Sequence, residues 1–178
     1  MSSPSDELAV SGEIFPSRRF VNFLAFLACA GLLGYGYYLE TYQGLEPCPL
    51  CLLQRYVFVV LGVLFLLAAL HNPSTWGSKV YGILLFLIAA VGIGLSGYHV
   101  WLQNLPPDQV PECGPSLEYM LESFPLLDAL KMTLNASGQC AEVTWRFIGL
   151  SIPAWTCIMF ILLGLAALIH NWRHPESQ

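Results

Sequence analysis

Long apolar runs separated by short polar connections dominate the chain. Four of them, at residues 20–39, 52–70, 80–102 and 147–169, are apolar on every side rather than along one stripe. An α-helix needs about 20 mostly apolar residues to cross the hydrocarbon of a bilayer. A helix that is apolar all round must meet lipid or other helices everywhere. The pattern therefore predicts an all-α membrane protein, a bundle of four transmembrane helices. The alternating segments of about ten residues that build a membrane barrel do not occur, and no internal repeat is visible. Gly31 with Gly34, and Gly92 with Ser96, offer small surfaces for close helix approach, although glycine is also common in such helices generally.

Composition supports the same class. Of 178 residues, 56% are hydrophobic and 11% charged, against roughly 25% charged in soluble domains. Seven Lys and Arg stand against twelve Asp and Glu, which excludes nucleic-acid binding, while the apolar content excludes disorder and coiled coil. Basic residues set orientation. Arg18, Arg19, Lys79 and Arg173 fall in segments that share one side, the cytoplasm; Lys131 and Arg146 fall on the other, with Arg55 just inside the second span. The expected organisation is an inner tail at 1–19, a membrane domain at 20–172 with outward loops at 40–51 and 103–146, and an inner tail at 173–178. The first tail carries Asp6, Glu7 and Glu13 and no motif, the composition of a disordered terminus.

Two targeting look-alikes fail. Ala28-Cys29-Ala30 resembles a signal-peptidase site, but the apolar run continues to Tyr38, too long for a signal core. Ser17-Arg18-Arg19 resembles a twin-arginine signal, but Val21 and Asn22 do not suit it.

The six cysteines divide by position. Cys29 and Cys157 lie deep in spans one and four, where a thiol is a small packing residue. Cys48, Cys51, Cys113 and Cys140 all lie in the outward loops. Four cysteines facing an oxidising compartment read as two disulfides, with three pairings available. Cys48-Pro49-Leu50-Cys51 has the spacing of a redox-active pair, which leaves Cys113 with Cys140. Zinc, the rival use, lacks an accompanying histidine at the usual ligand spacing in either loop.

Pro47 and Pro49 end the first loop, and proline suits the first turn of a helix. Cys51 therefore falls near a helix N-terminus, where the dipole favours an anion and a thiol ionises readily. Arg55 follows one turn deeper on the same face. A cation inside a span costs about 2.5–3.5 kcal/mol on insertion scales and marks a functional candidate; snorkelling to the headgroups is the structural alternative. Electrons collected by such a dithiol need an acceptor, and no haem, flavin or nucleotide motif is present. A lipid-soluble two-electron carrier such as a quinone fits. About 30 mV corresponds to roughly 1.4 kcal/mol for a two-electron couple, so a quinone about 150 mV more oxidising supplies several kcal/mol.

These residues carry a family resemblance. Pro47-Cys48-Pro49-Leu50-Cys51-Leu52-Leu53-Gln54-Arg55, then Gly138-Gln139-Cys140-Ala141-Glu142, and Trp145-Arg146-Phe147-Ile148-Gly149-Leu150-Ser151-Ile152-Pro153-Ala154-Trp155 are similar to the disulfide bond formation protein B (DsbB) family. The resemblance runs from Phe20 to Trp172. It implies a bacterial inner-membrane thiol oxidoreductase that reoxidises a periplasmic thioredoxin-fold oxidase, DsbA, and passes electrons to ubiquinone or menaquinone. It further implies that Cys113 takes the partner's attack, Cys140 attacks Cys48, and Cys51 becomes a thiolate facing the quinone, steadied by Arg55. His99 matches the family's quinone-side histidine.

His71, His170 and His174 sit at cytoplasmic ends and read as interfacial, and Trp145, Trp155 and Trp172 as an aromatic belt. In the second loop, Leu117, Met120, Leu121, Phe124, Leu127, Leu130 and Met132 recur at near-helical spacing, interrupted by Pro125. This is the pattern of an amphipathic segment lying on the membrane, a tether that would keep Cys140 within reach of Cys48; ordinary loop packing is the alternative. Two rivals remain at this point. A vitamin K epoxide reductase-like protein should carry its CxxC at the last helix, not the second. A non-catalytic tetraspan scaffold gives no reason for Arg55 beside Cys51.

Overall fold

The computed structural model describes residues 17–73, 75–115, 117–135, 138–143 and 145–172. Residues 1–16 and 173–178, including Arg173 and His174, lie outside the described residues, while Arg18 and Arg19, expected in the first tail, open the first helix. The elements run α1 (Arg18–Gln43), α2 (Pro49–His71), α3 (Thr75–Leu102), a 3-10 turn (Pro107–Gln109), α4 (Leu117–Ser123), α5 (Leu126–Asn135), a 3-10 turn (Gly138–Ala141), β1 (Arg146–Phe147), β2 (Leu150–Ser151) and α6 (Ile152–Trp172). Four helices, α1, α2, α3 and α6, are long and apolar enough to cross a membrane. The 23 residues of α2 extend about 35 Å at 1.5 Å each, enough for a hydrocarbon core of about 30 Å.

Local chemistry sets the ends of these helices. The Ser17 hydroxyl accepts the free N–H of Phe20 at the start of α1, and Gly44 ends that helix in the left-handed conformation at φ 64°. Pro49 opens α2 with Cys48 as its N-cap, and Asn72 ends it, also left-handed.

The fourth long helix begins at Ile152 rather than at residue 147. Arg146 pairs with Ser151 and Phe147 with Leu150 in an antiparallel hairpin. Its two-residue turn holds Ile148 at φ 52° and Gly149 at φ 79°, the conformation that matches strand twist in tight hairpins. Phe147 and Ile148 are thus exposed apolar residues of a loop. Pro153 then sits in the first turn of α6, where its missing N–H costs nothing.

The main packing joins α3 to α6, α1 to α2 and α2 to α3. At the centre, Phe58 of α2 stacks on Phe160 of α6 with ring centroids 4.1 Å apart, among buried Cys29, Leu61, Phe65, Leu85 and Ala89. Gly92 makes this possible, since a Cβ there would stand 2.6 Å from the Phe160 ring. Gly31 and Gly34 do not act this way: a Cβ at either meets nothing within 4 Å. Where α1 meets α6, Asn22 and Asn171 exchange amide hydrogen bonds of 3.2 and 3.3 Å, a polar tie that satisfies groups otherwise stranded in an apolar setting. Outer faces carry exposed Val59, Val63, Leu87, Val91, Leu162 and Leu165, the surface a lipid belt requires.

In the second loop, Pro125 divides the amphipathic segment into α4 and α5. Leu117 and Met120 of α4 and Ala129 and Thr133 of α5 are buried, while Leu126 and Leu127 are exposed.

Gly92→Leu should lower stability by about 1–3 kcal/mol through overpacking against Phe160, read by thermal unfolding in detergent. Gly31→Ala should change it by less than about 0.5 kcal/mol.

Candidate active site

The beginning of α2 sets two sulfurs side by side. Cys48 is the N-cap in extended backbone, and its carbonyl accepts the Leu52 N–H at 3.1 Å, so Cys51 follows within the first turn. Their Sγ atoms are 3.1 Å apart, and all six cysteines are free thiols. A third sulfur comes from the second loop. Cys140 lies on the Gly138–Ala141 turn, is 1% exposed and packs with Leu50, Leu102 and Cys48. Cys113 is exposed. Its strand passes so close to the Cys140 turn that a Cβ at residue 138 would stand 2.2 Å from the Pro111 carbonyl oxygen. Only glycine allows that approach.

His99, from the last turn of α3, is buried beneath these sulfurs. Its Nε2 is 3.1 Å from the Cys140 carbonyl oxygen and 3.7 Å from Cys48 Sγ. Its Nδ1 is 3.1 Å from Gln54 Nε2. The Gln54 oxygen in turn accepts from the Thr156 hydroxyl at 2.6 Å. A carbonyl only accepts, so His99 Nε2 carries the hydrogen and Nδ1 accepts from the Gln54 amide.

Cys48 Sγ, Cys51 Sγ and a His99 nitrogen lie within 4.8 Å of one another, a donor set of the kind zinc takes. The hydrogen on Nε2, however, points the ring away from metal ligation.

The sulfurs differ in acidity. Cys48 is held well below the ordinary thiol range, first by its hydrogen bond with Cys140, then by that with Cys51, against the opposing effect of burial. Cys140 is pushed well above it by the same bond with Cys48 and by burial. Of these two sulfurs, Cys48 is the one whose surroundings favour the thiolate and Cys140 the one whose surroundings favour the thiol.

On the other side of Cys51 lies a cavity of about 410 Å³ between α1, α2, α6 and the hairpin. Leu32, Leu33, Phe58 and Met159 make it apolar; Cys51, Gln54, Arg55 and Thr156 supply its polar groups; Trp145, Phe147 and Trp155 give it flat aromatic walls. Arg55 does not reach out to a headgroup. It is paired with Glu40 at 2.5 Å and donates to the Gly36 carbonyl at 3.0 Å, so the guanidinium is fixed by α1 against one wall. His99 is not among the residues lining this cavity. It lines a smaller one, about 60 Å³, with Cys48 and Cys51.

The structure therefore brings Cys48, Cys51, Cys140 and His99 together, leaves Cys113 at the surface, and sets Arg55 beyond Cys51. Gln54, Glu40, Trp145, Trp155 and Thr156 are parts of the site that sequence reading did not assign. Gln54 stands three residues after Cys51 on the helix, a spacing that was available to find it; Glu40 and Thr156 come from other helices and had no local signal.

In phosphine-reduced protein, iodoacetamide alkylation of Cys48 followed by mass spectrometry should stay fast from pH 8 down through about pH 6, because thiolate is the reactive form. Cys140 should stay slow at pH 8. Cys140→Ala removes the strongest donor and should move the Cys48 midpoint upward; an unchanged midpoint would refute the assigned cause.

Comparison with known proteins adds an independent finding. Residues 18–170 match the family model described as disulfide bond formation protein DsbB. Disulfide bond formation protein B of Nitrosococcus oceani is 51% identical over 152 residues, covering 85% of this chain and 90% of that protein. The proteins of the same name from Marinobacter nauticus and Hahella chejuensis are 50% identical over 159 residues and 53% over 145. Those matches cover 88% and 82% of this chain, and 95% and 88% of the relatives.

Proposed function

Since the chain belongs to the disulfide bond formation protein B (DsbB) family, we propose that its four loop cysteines and the cavity beside Cys51 form one route from protein dithiol to membrane quinone. The protein is a multi-pass membrane oxidoreductase that reoxidises DsbA with quinone and so forms disulfide bonds. The reading of its parts rests on one observation above all: Cys48 contacts Cys140 on one side, while Cys51, its neighbour, lines an apolar cavity together with Arg55 on the other.

In the resting cycle Cys113 pairs with Cys140 and Cys48 with Cys51. A thiolate of the reduced, DsbA-like partner attacks Cys113, the sulfur exposed to a protein-sized reagent, and Cys140 leaves. Cys140 attacks Cys48, and Cys51 leaves as a thiolate on the cavity wall. The partner's second thiol displaces its bond to Cys113, which releases the oxidised partner. Cys113 then displaces Cys48 from Cys140, and Cys48 and Cys51 re-form their disulfide as two electrons and two protons, those of the partner dithiol, pass to the acceptor. The start of α2 and the Arg55 guanidinium both lie on the Cys51 side of the sulfur pair.

The cavity suits a quinone. Its volume lies in the range of small-molecule sites, mostly apolar with a few polar groups, and its aromatic walls match a planar ring. A bound quinone, ubiquinone or menaquinone, supplies the two-electron acceptor. Arg55 and Gln54 are among the cavity residues able to hydrogen-bond its carbonyl groups. His99, which the resemblance sets on the quinone side, serves the sulfurs in this reading. The compartment follows from the chemistry: cysteine loops in the oxidising periplasm, both termini in the cytoplasm, the bundle in the bacterial inner membrane.

Purified protein with added quinone should reoxidise a reduced thioredoxin-fold oxidase. Cys51→Ser or Cys113→Ser should abolish turnover, while Cys29→Ser and Cys157→Ser should retain it; loss in the latter pair would overturn the sorting of the six cysteines. Arg55→Ala should raise the quinone KM by about tenfold to a hundredfold, the worth of a charged hydrogen bond.

A further inference from the structure

The hydrogen bonds around His99 form a chain that crosses from one cavity to the other. Thr156 and Gln54 line the large apolar cavity. Cys48, Cys51 and His99 line the small one. Gln54 joins them: its oxygen accepts from Thr156 at 2.6 Å, and its amide nitrogen stands 3.1 Å from His99 Nδ1. Both Gln54 and His99 are almost wholly buried, at 3% and 2% exposure.

An imidazole has two neutral forms, and its neighbours decide between them. The Nδ1 neighbour here is an amide N–H, a donor. Nδ1 must therefore accept, and the single ring proton goes to Nε2. That proton faces the Cys140 carbonyl oxygen at 3.1 Å and Cys48 Sγ at 3.7 Å. The opposite tautomer would turn a lone pair toward the Cys140 carbonyl oxygen and the Cys48 sulfur. It would push apart the two loops whose sulfurs exchange.

We propose that Gln54 is a positioning residue: it locks His99 in the Nε2–H form, and His99 thereby holds the Cys140 turn against Cys48 for transfer of the disulfide between the loops. The proposal deepens the proposed function and rests on the reading of Cys140 and Cys48 as exchange partners. It moves the histidine's task from the acceptor to the sulfurs, and it gives the cavity wall a direct link to them. A molecule bound in the large cavity that turned the Gln54 amide would change the His99 tautomer as well.

Substitutions at residue 54 separate this from a packing role. Gln54→Leu keeps the bulk and removes the donor. Gln54→Glu keeps the bulk and shape but only accepts, so Nδ1 must then carry a proton. In that variant Nε2 keeps its own proton only while the ring is doubly protonated. The other ionisable groups around the small cavity, Glu46, Cys48, Cys51 and Glu142, and Cys140, whose carbonyl meets His99, are unchanged in each variant, so differences between the profiles report residue 54.

The measurement is acid-quenched trapping of the Cys48–Cys140 disulfide after mixing full-length protein with a reduced thioredoxin-fold oxidase, at pH 6 to 9. Gln54→Leu should slow its formation about tenfold at every pH, the worth of one buried hydrogen bond. Gln54→Glu should form it at close to the wild-type rate at pH 6 and lose about tenfold as pH rises and the ring gives up its extra proton. Nitrogen-15 NMR of labelled histidine should show His99 as the Nε2–H tautomer in the wild type and doubly protonated at pH 6 in Gln54→Glu. A Gln54→Glu profile parallel to wild type, or a wild-type His99 protonated on Nδ1, would overturn the proposal. Absence of any Cys48–Cys140 species in the wild type would instead refute the exchange route itself, so the two failures are distinguishable.

Discussion

The contact between Cys48 and Cys51 lies where a helix leaves its loop, and the two sulfurs inherit different surroundings from that position. Cys48, outside the first turn, meets the second loop through Cys140. Cys51, inside it, meets the apolar cavity. Two sulfurs 3.1 Å apart thus face a loop turn on one side and an apolar cavity on the other. Pro49 matters here because it starts the helix at a fixed residue. A start one residue later would rotate Cys51 by about 100°, away from the cavity.

Charge and polarity inside the bundle are tolerated because each group is answered. Arg55 has Glu40 and the Gly36 carbonyl. Gln54, Thr156 and His99 satisfy one another and end on the Cys140 carbonyl. A half-satisfied network in such a setting is worse than an apolar one. The pairing with Glu40 also changes what Arg55 offers: a fixed set of N–H donors beside the cavity, rather than a lone cation.

The second loop is arranged by contacts rather than by long secondary structure. Gly138 lets the Cys113 strand pass against the Cys140 turn, Gly138 N–H reaches the Glu112 carbonyl, and Gln139 donates to the Gly114 carbonyl at 3.3 Å. Tyr98 of α3 donates to the Leu134 carbonyl at 2.7 Å and so ties the end of α5 to the bundle. These short links hold exposed Cys113 and buried Cys140.

The chain by itself determined the four long helices, the proline-led start of α2 and the separation of loop cysteines from core cysteines. Apolar length, proline geometry and the side on which a loop emerges are local properties, legible without knowing what packs where. The family, too, was legible, because its motifs are contiguous. Only the tertiary structure decided that residues 146–151 turn as a hairpin before α6, since Phe147, Ile148 and Leu150 are as apolar as a helix but Ile148 and Gly149 take left-handed backbone. It decided that Gly92 is a packing surface while Gly31 and Gly34 face open space. It also decided that Trp145 and Trp155 wall a cavity, that Glu40 holds Arg55, and that His99 stands under the sulfurs. Each of these joins residues from different helices or loops, and no spacing along one segment records how two segments cross.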